Sequence, residues 1–245
     1  GLALFGLEKF NKAMRFFHYT LELDETSEAG IVNLGYALMN ERRPLEALEY
    51  LRKGVEMNSG SVNSIWNLSL IQLMLGNYKE GWDLYEARFE TEQFKEQIWP
   101  TSGIRINSFD QLDVTEDNPL VVFSEQGMGD AIQFCRYLFL LESKGIPFIF
   151  STRKNLFELM KNWLPFPEKV FLEKTWDPST DKRSQIALMS LPRLFNTETH
   201  TVPNQCPYLS SKASVPDALK VNEAPGGLKI GFTWASNPDN KSMYR

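Results

Sequence analysis

The stretch NLGYALMNERRPLEALEYLRKGVEMN, residues 33–58, reads as two helices joined by a short polar turn, and its register returns later in the chain as NLSLIQLMLGNYKEGWDLYEARF, residues 67–89. The offset is 34 residues. Ala13, Ala47 and Gly81 share it, as do Phe17, Leu51 and Tyr85, and Phe10, Pro44 and Tyr78. Upstream in each unit Leu34 matches Leu68 and Gly35 matches Ser69, with Gly1 in phase. A small residue facing a bulky one at a fixed period lets paired helices nest and stack, because one unit cannot bury its apolar face alone.

These spacings resemble the tetratricopeptide repeat over residues 1–90, and the fold expected there is a helical solenoid. Glu25 and Ser59 stand where such repeats usually carry proline, so the helix ends there are less sharply marked. Gly1 already sits at the eighth position of a unit, which leads us to expect either further repeats before it or an unusual cap at this end. A compact helical cap on the second domain is the alternative.

Past residue 98 the pattern changes. IWPTSGIRINSFDQLDVTEDNP (98–119) reads as a polar connection, after which apolar runs alternate with helical segments. Strands are expected at 119–123, 147–151 and 169–172, with a fourth opening 185–195. Helices are expected at 129–144, with Ile132, Cys135, Leu138 and Phe139 on one face, and at 154–163, with Leu156, Leu159 and Met160 inward. This alternation predicts a parallel sheet covered on both faces. Residues 174–184 and 196–227 read as surface connections, and 228–238 as another strand with its loop.

Between the first strand and its helix lies SEQGMGD, residues 124–130. A glycine loop opening a helix directs backbone N–H groups at an anion or a developing negative charge. Gly127-Met128-Gly129 nevertheless fails the dinucleotide fingerprint, because Ile132 occupies its third glycine position, and no Gly-Lys-Ser/Thr of a P-loop follows. Asp130 has two readings: a first-turn acid that favours the helix dipole, or a base projecting into the crevice at the strand ends. Glu125 and Gln126 either orient a substrate hydroxyl or bond the loop backbone.

Composition narrows the classes. The 42% hydrophobic content supports packed cores, and the net charge of −5 without a basic run argues against a nucleic-acid binder. The longest apolar stretch, YLFLLESKGIPFIF (137–150), is broken by charge and glycine well short of the ~20 residues of a membrane span, and the start does not read as a signal peptide. Cys135 and Cys206 read as reduced thiols of a cytoplasmic protein, with Cys135 on an apolar helix face. With only His18 and His200, a multi-histidine metal site is not expected. His18 reads as a packing or surface residue, and His200 lies in the loop TETHTVPN.

In the same order along almost the whole chain, EGWDLYEARF (80–89), EQGMGDAIQFCRYLFLLESKG (125–145), LMSLPRLF (188–195), CPYL (206–209) and KIGFTWASNP (229–238) resemble bacterial repeat proteins carrying a glycosyltransferase domain. That domain is similar to the O-linked N-acetylglucosamine transferases and, more distantly, to the heptosyltransferases. The resemblance implies a GT-B architecture, in which two Rossmann-like halves face each other across a cleft. It divides the chain into repeats (1–98), an acceptor-side half (99–227) and the start of a donor-side half (228–245), with Trp234 and Asn237 near the cleft. It implies Asp130 as the base, and Glu125, Gln126, Gly127 and Gly129 as the acceptor-side loop. The co-substrate would be a nucleotide-sugar, with no resident cofactor. Asn33 and Asn67, one repeat apart on the concave side, match the asparagine ladder of those transferases and would hold a protein or peptide partner by its backbone. Their alternative is a bond within the repeat. Because the donor half is barely begun at Arg245, these 245 residues alone are expected to be inactive, and a repeat scaffold without catalysis is the competing class.

Overall fold

A computed structural model of the chain describes residues 1–92, 94, 103–175 and 180–210. Residues Gly1–Ser210 form one compact unit. The strand expected at 228–238, with Trp234 and Asn237, falls outside the described residues.

The first part is a helical repeat with a 34-residue period. Its helices are α1 (Leu2–Gly6), α2 (Phe10–Leu23), α3 (Glu28–Asn40), α4 (Pro44–Met57), α5 (Val62–Met74) and α6 (Tyr78–Tyr85). The starts of α2, α4 and α6 coincide with the 34-residue series Phe10, Pro44, Tyr78. Ser27 and Ser61, again 34 apart, cap α3 and α5 by accepting hydrogen bonds from the N–H groups of Gly30 and Ser64. A third series closes the turn inside each unit. Glu8, Arg42 and Gly76 adopt the left-handed conformation, at φ of 56°, 58° and 82°. At each turn the same hydrogen-bond pair forms, as in Arg42 N–H to the Met39 carbonyl and Arg43 N–H to that of Leu38. That is a Schellman motif, which normally calls for glycine. Only the third unit has one.

The nesting expected from the small and large positions is present. A Cβ added at Gly35 would lie 2.7 Å from Leu51 Cγ, and one added at Gly1 would lie 2.4 Å from the Phe17 ring. Ala13, Phe17, Leu34, Ala47, Leu51 and Leu68 share one buried core.

The second part contains a parallel sheet with strands β1 (Ile104–Arg105), β2 (Leu120–Phe123), β3 (Phe148–Thr152), β4 (Val170–Leu172) and β5 (Ser184–Ala187), in the order β1-β5-β2-β3-β4. Its helices are α7 (Met128–Phe134), α8 (Arg136–Ser143), α9 (Lys154–Trp163) and the short α10 (Leu191–Leu194). Two details differ from the sequence reading. The 98–119 connection contains the edge strand β1, two residues held against β5 and too short to carry a period-2 signal. The helix expected at 129–144 is broken at Cys135, whose thiol bonds back to the Ile132 carbonyl at 3.0 Å.

The sheet is covered on both faces, though not by its own helices alone. Leu120, Val122, Phe148, Phe150 and Ile186 pack against Cys135, Leu138 and Leu141 of the α7–α8 segment, Leu156 and Met160 of α9, and Leu191 and Leu194 of α10. Crossovers of one hand put the helices between β2, β3 and β4 on the same side. On the other face, Val121, Phe123 and Ala187 pack against Phe89, with Phe94 beside it. Among the described residues that cover comes from the end of the repeat region.

Candidate functional site

Strand order reverses at β2, since the chain continues outward through β3 and β4 and then returns to lay β5 on the opposite side. In open α/β sheets this switch point leaves a crevice beyond the carboxyl ends of the strands, where ligands bind. Residues 124–130 leave β2 at that edge. Gly127, Met128 and Gly129 are exposed, and Asp130 is half-buried. The Asp130 carboxylate accepts a hydrogen bond from the Gly127 N–H at 3.0 Å, closing the loop onto the first turn of α7.

The start of the loop faces the repeat. Glu125 is buried, and its Oε1 accepts from Arg88 Nη2 at 3.1 Å and from the Met189 N–H at 3.3 Å. Those contacts join the exits of β2 and β5 across the switch point. Arg88 follows α6 and is fully buried. Its Nη2 also donates to Ser190 Oγ at 2.6 Å, while Nη1 donates to Glu86 Oε1 at 2.8 Å and to the Tyr85 carbonyl at 3.0 Å. The guanidinium carbon lies 4.6 Å from the Tyr85 ring centre and 4.0 Å from that of Phe89. A cation from the repeat thus bonds residues just beyond the carboxyl ends of both β2 and β5. Burial pushes the Glu125 carboxyl above its ordinary pKa, and the nearby Arg88 charge pulls the other way.

Gln126 is tied to the repeat as well: its Nε2 donates to the Tyr85 hydroxyl. Burial pushes that phenol up to about 12, so it stays neutral across the physiological range. Its ring packs against Trp82 at 5.2 Å and Trp66 at 4.9 Å between centroids. Polar atoms crowd the same strand ends. Ser124 Oγ, Glu125 Oε2, Ser151 Oγ and Thr152 Oγ1 are buried there without a hydrogen-bond partner among the described residues.

The remaining residues singled out from the sequence lie apart from this loop. Asn33 and Asn67 each donate from Nδ2 to the carbonyl four residues back, those of Ala29 at 2.7 Å and Asn63 at 2.8 Å. His18 is exposed beside Tyr50, and exposed His200 lies 3.6 Å from Glu198. Burial raises the Cys135 thiol to about 12, which suits packing and not nucleophilic chemistry; Cys206 is exposed. Among the described residues no group of three or more His, Cys, Asp or Glu could hold a metal, and no helix is long and apolar enough to cross a membrane. A groove of about 700 Å³ opens away from the loop, lined by Arg52, Tyr78, Glu80 and Glu198 among others. Two of its charges, Arg52 and Glu80, already pair at 2.9 Å.

Sequence reasoning missed Arg88 and the contact made by Tyr85. A signal was present: Arg88 lies three residues beyond Tyr85, itself a bulky core position of the repeat, and is followed by Phe89. A charge on the buried side of a helical turn needs a partner elsewhere.

No family model matches the chain, and no curated protein matches it. Among solved structures, the crystal structure of MamA is similar at 20% identity and a TM-score of 0.34, over 37% of this chain and 53% of that one. The chain therefore spans about half the length of that relative. At this level the likeness adds nothing to what the chain's own geometry gives: a helical repeat joined to a parallel α/β unit.

Proposed function

We propose that the chain carries the repeat region and the acceptor-side half of a glycosyltransferase, which moves a sugar from a nucleotide-sugar to a hydroxyl of a polypeptide. The observation that carries this reading is the exposed Gly127–Asp130 loop at the carboxyl edge of the central strand β2. Asp130 is the general base. Its Oδ2 holds the Gly127 N–H, and the carboxylate has further lone pairs to accept the proton of an acceptor hydroxyl at hydrogen-bond distance. Gly127 and Gly129 leave the backbone open to that acceptor. Glu125 and Gln126 serve by holding the loop. Asn33 and Asn67 bind the backbone of the polypeptide, since one bond within the helix leaves each amide a further donor hydrogen and its oxygen. The nucleotide-sugar is held by the donor-side half of such an enzyme.

The competing reading is a peptide-binding scaffold. It draws on the same loop, because the Asp130 and Glu125 carboxylates already have partners within the chain. One experiment separates the two. The product of the complete reading frame is incubated with peptide pools and a panel of nucleotide-sugars, and peptide mass is followed. Sugar transfer that falls at least ~100-fold in Asp130→Asn supports the transferase, that being the low end for loss of a general base. Peptide binding without any mass change supports the scaffold.

A further inference from the structure

We propose that Arg88 and Tyr85, at the end of the last repeat, are positioning residues for the Gln126–Asp130 loop, so that the repeat region sets the shape of the candidate site. The proposal rests on contacts alone and holds whether or not the protein transfers sugar. The loop has two side-chain anchors at its start, and both end on the repeat: Glu125 on Arg88, and Gln126 on the Tyr85 hydroxyl. The α/β unit adds the Met189 N–H on the Glu125 carboxylate and Arg153 Nη2 on the Glu125 carbonyl, both before the glycines. Beyond Gln126 the backbone is held by Asp130 on the Gly127 N–H and by the helix bond from the Ala131 N–H to the Gly127 carbonyl. Freeing Gln126 therefore leaves a short, exposed, glycine-bearing segment tethered mainly to itself.

The anchor also reaches toward the proposed peptide surface. Trp66 precedes Asn67 on α5, and its ring centre lies 4.9 Å from that of Tyr85. Packed side chains of this kind transmit a displacement when an element has two discrete arrangements.

Amide hydrogen exchange tests this on the whole chain. Tyr85→Phe removes the acceptor for Gln126 and keeps the ring against Trp66 and Trp82. Arg88→Lys keeps the charge and loses the planar fork that spans Glu125, Ser190 and Glu86. In both variants the amides of Gly127 and Ala131, whose hydrogen bonds close the loop, should exchange about tenfold faster, the scale of one ordinary hydrogen bond. Amides of β3 and α3 should keep their wild-type rates. Wild-type exchange at Gly127 and Ala131 in folded Tyr85→Phe overturns the proposal, and so does an equal acceleration along the whole chain. Should Arg88→Lys fail to fold, Tyr85→Phe decides alone. Sugar transfer is not measured, so its absence has no bearing on the outcome.

Discussion

The guanidinium of Arg88 and the carboxylate of Glu125 meet at 3.1 Å where water reaches neither, one contributed by the end of the helical repeat and the other by the exit of the central strand. Removing Arg88 strands the buried Glu125 carboxylate, a loss that runs to about 3–5 kcal/mol, whereas removing Glu125 leaves Arg88 its bridge to Glu86. Arg88→Ala should therefore lower the unfolding free energy by about that much, and Glu125→Ala by less. Replacing both by Met and Leu should cost far less than the sum. Urea denaturation of the two single variants and the pair gives the comparison.

Two carboxylates make opposite contributions to pH dependence. Hydrogen bonds from the hydroxyl of Ser61, then from Asn58 and Ser64, hold Glu28 below its ordinary value of 4.5. Its stabilising contribution is present above the unfolded value and is lost as pH falls through the lower folded value. Glu125 is raised, chiefly by burial, so the folded chain binds its proton more readily than the unfolded chain. Stability from that group declines as pH rises from the unfolded value through the raised one. Thermal melts from pH 3 upward should accordingly show a shallower acid limb in Glu28→Gln, and a steeper net rise over the Glu125 window in Glu125→Gln.

The three left-handed turn residues offer a matched comparison. Residues with a Cβ pay roughly 1–2 kcal/mol in this conformation, partly offset by the entropy of glycine in the unfolded chain. Glu8→Gly and Arg42→Gly should each stabilise the protein by about 0.5–1 kcal/mol. Gly76→Ala should destabilise it by about 1 kcal/mol. An added Cβ at Gly76 meets only Thr199 Cγ2 at an ordinary 3.8 Å, so steric contact does not cloud the result. Denaturant midpoints at constant slope would measure all three.

Asn33→Ala with Asn67→Ala should weaken peptide binding by about tenfold or more, the loss of two hydrogen bonds of ordinary strength. Each substitution also removes a bond to the helix's own backbone, so circular dichroism must be followed alongside affinity. Unchanged affinity, or a fall matched by loss of helix, would return both residues to a role inside the repeat.

The repeat was readable because its constraint is local and recurs. Ala47 beside Leu51 is forced by helix nesting, and the same constraint shapes Ala13 with Phe17. The turn series at 8, 42 and 76 was hidden because Glu8 and Arg42 tolerate a conformation that only Gly76 advertises. Strands β2, β3 and β4 were visible as apolar runs, whereas β1 depends on pairing with β5, which adjacent residues cannot report. The loop at 127–130 could be placed at a strand end from its own composition. The partners of Glu125 could not, since Arg88 and Met189 reach it from 37 and 64 positions away.

Phe89 closes one face of a sheet whose strands begin later in the chain, which has a consequence for how the protein can be divided. A cut at the compositional boundary near residue 98 would look harmless on paper. It would strip the cover from Val121, Phe123 and Ala187 and leave Glu125 without its counter-ion. The sheet fragment would then present a bare apolar face and a strong drive to self-associate. Any recombination event that grafts this sheet onto a different helical array must carry the Tyr85–Phe94 segment with it. The transferable module begins inside what the sequence marks as someone else's territory.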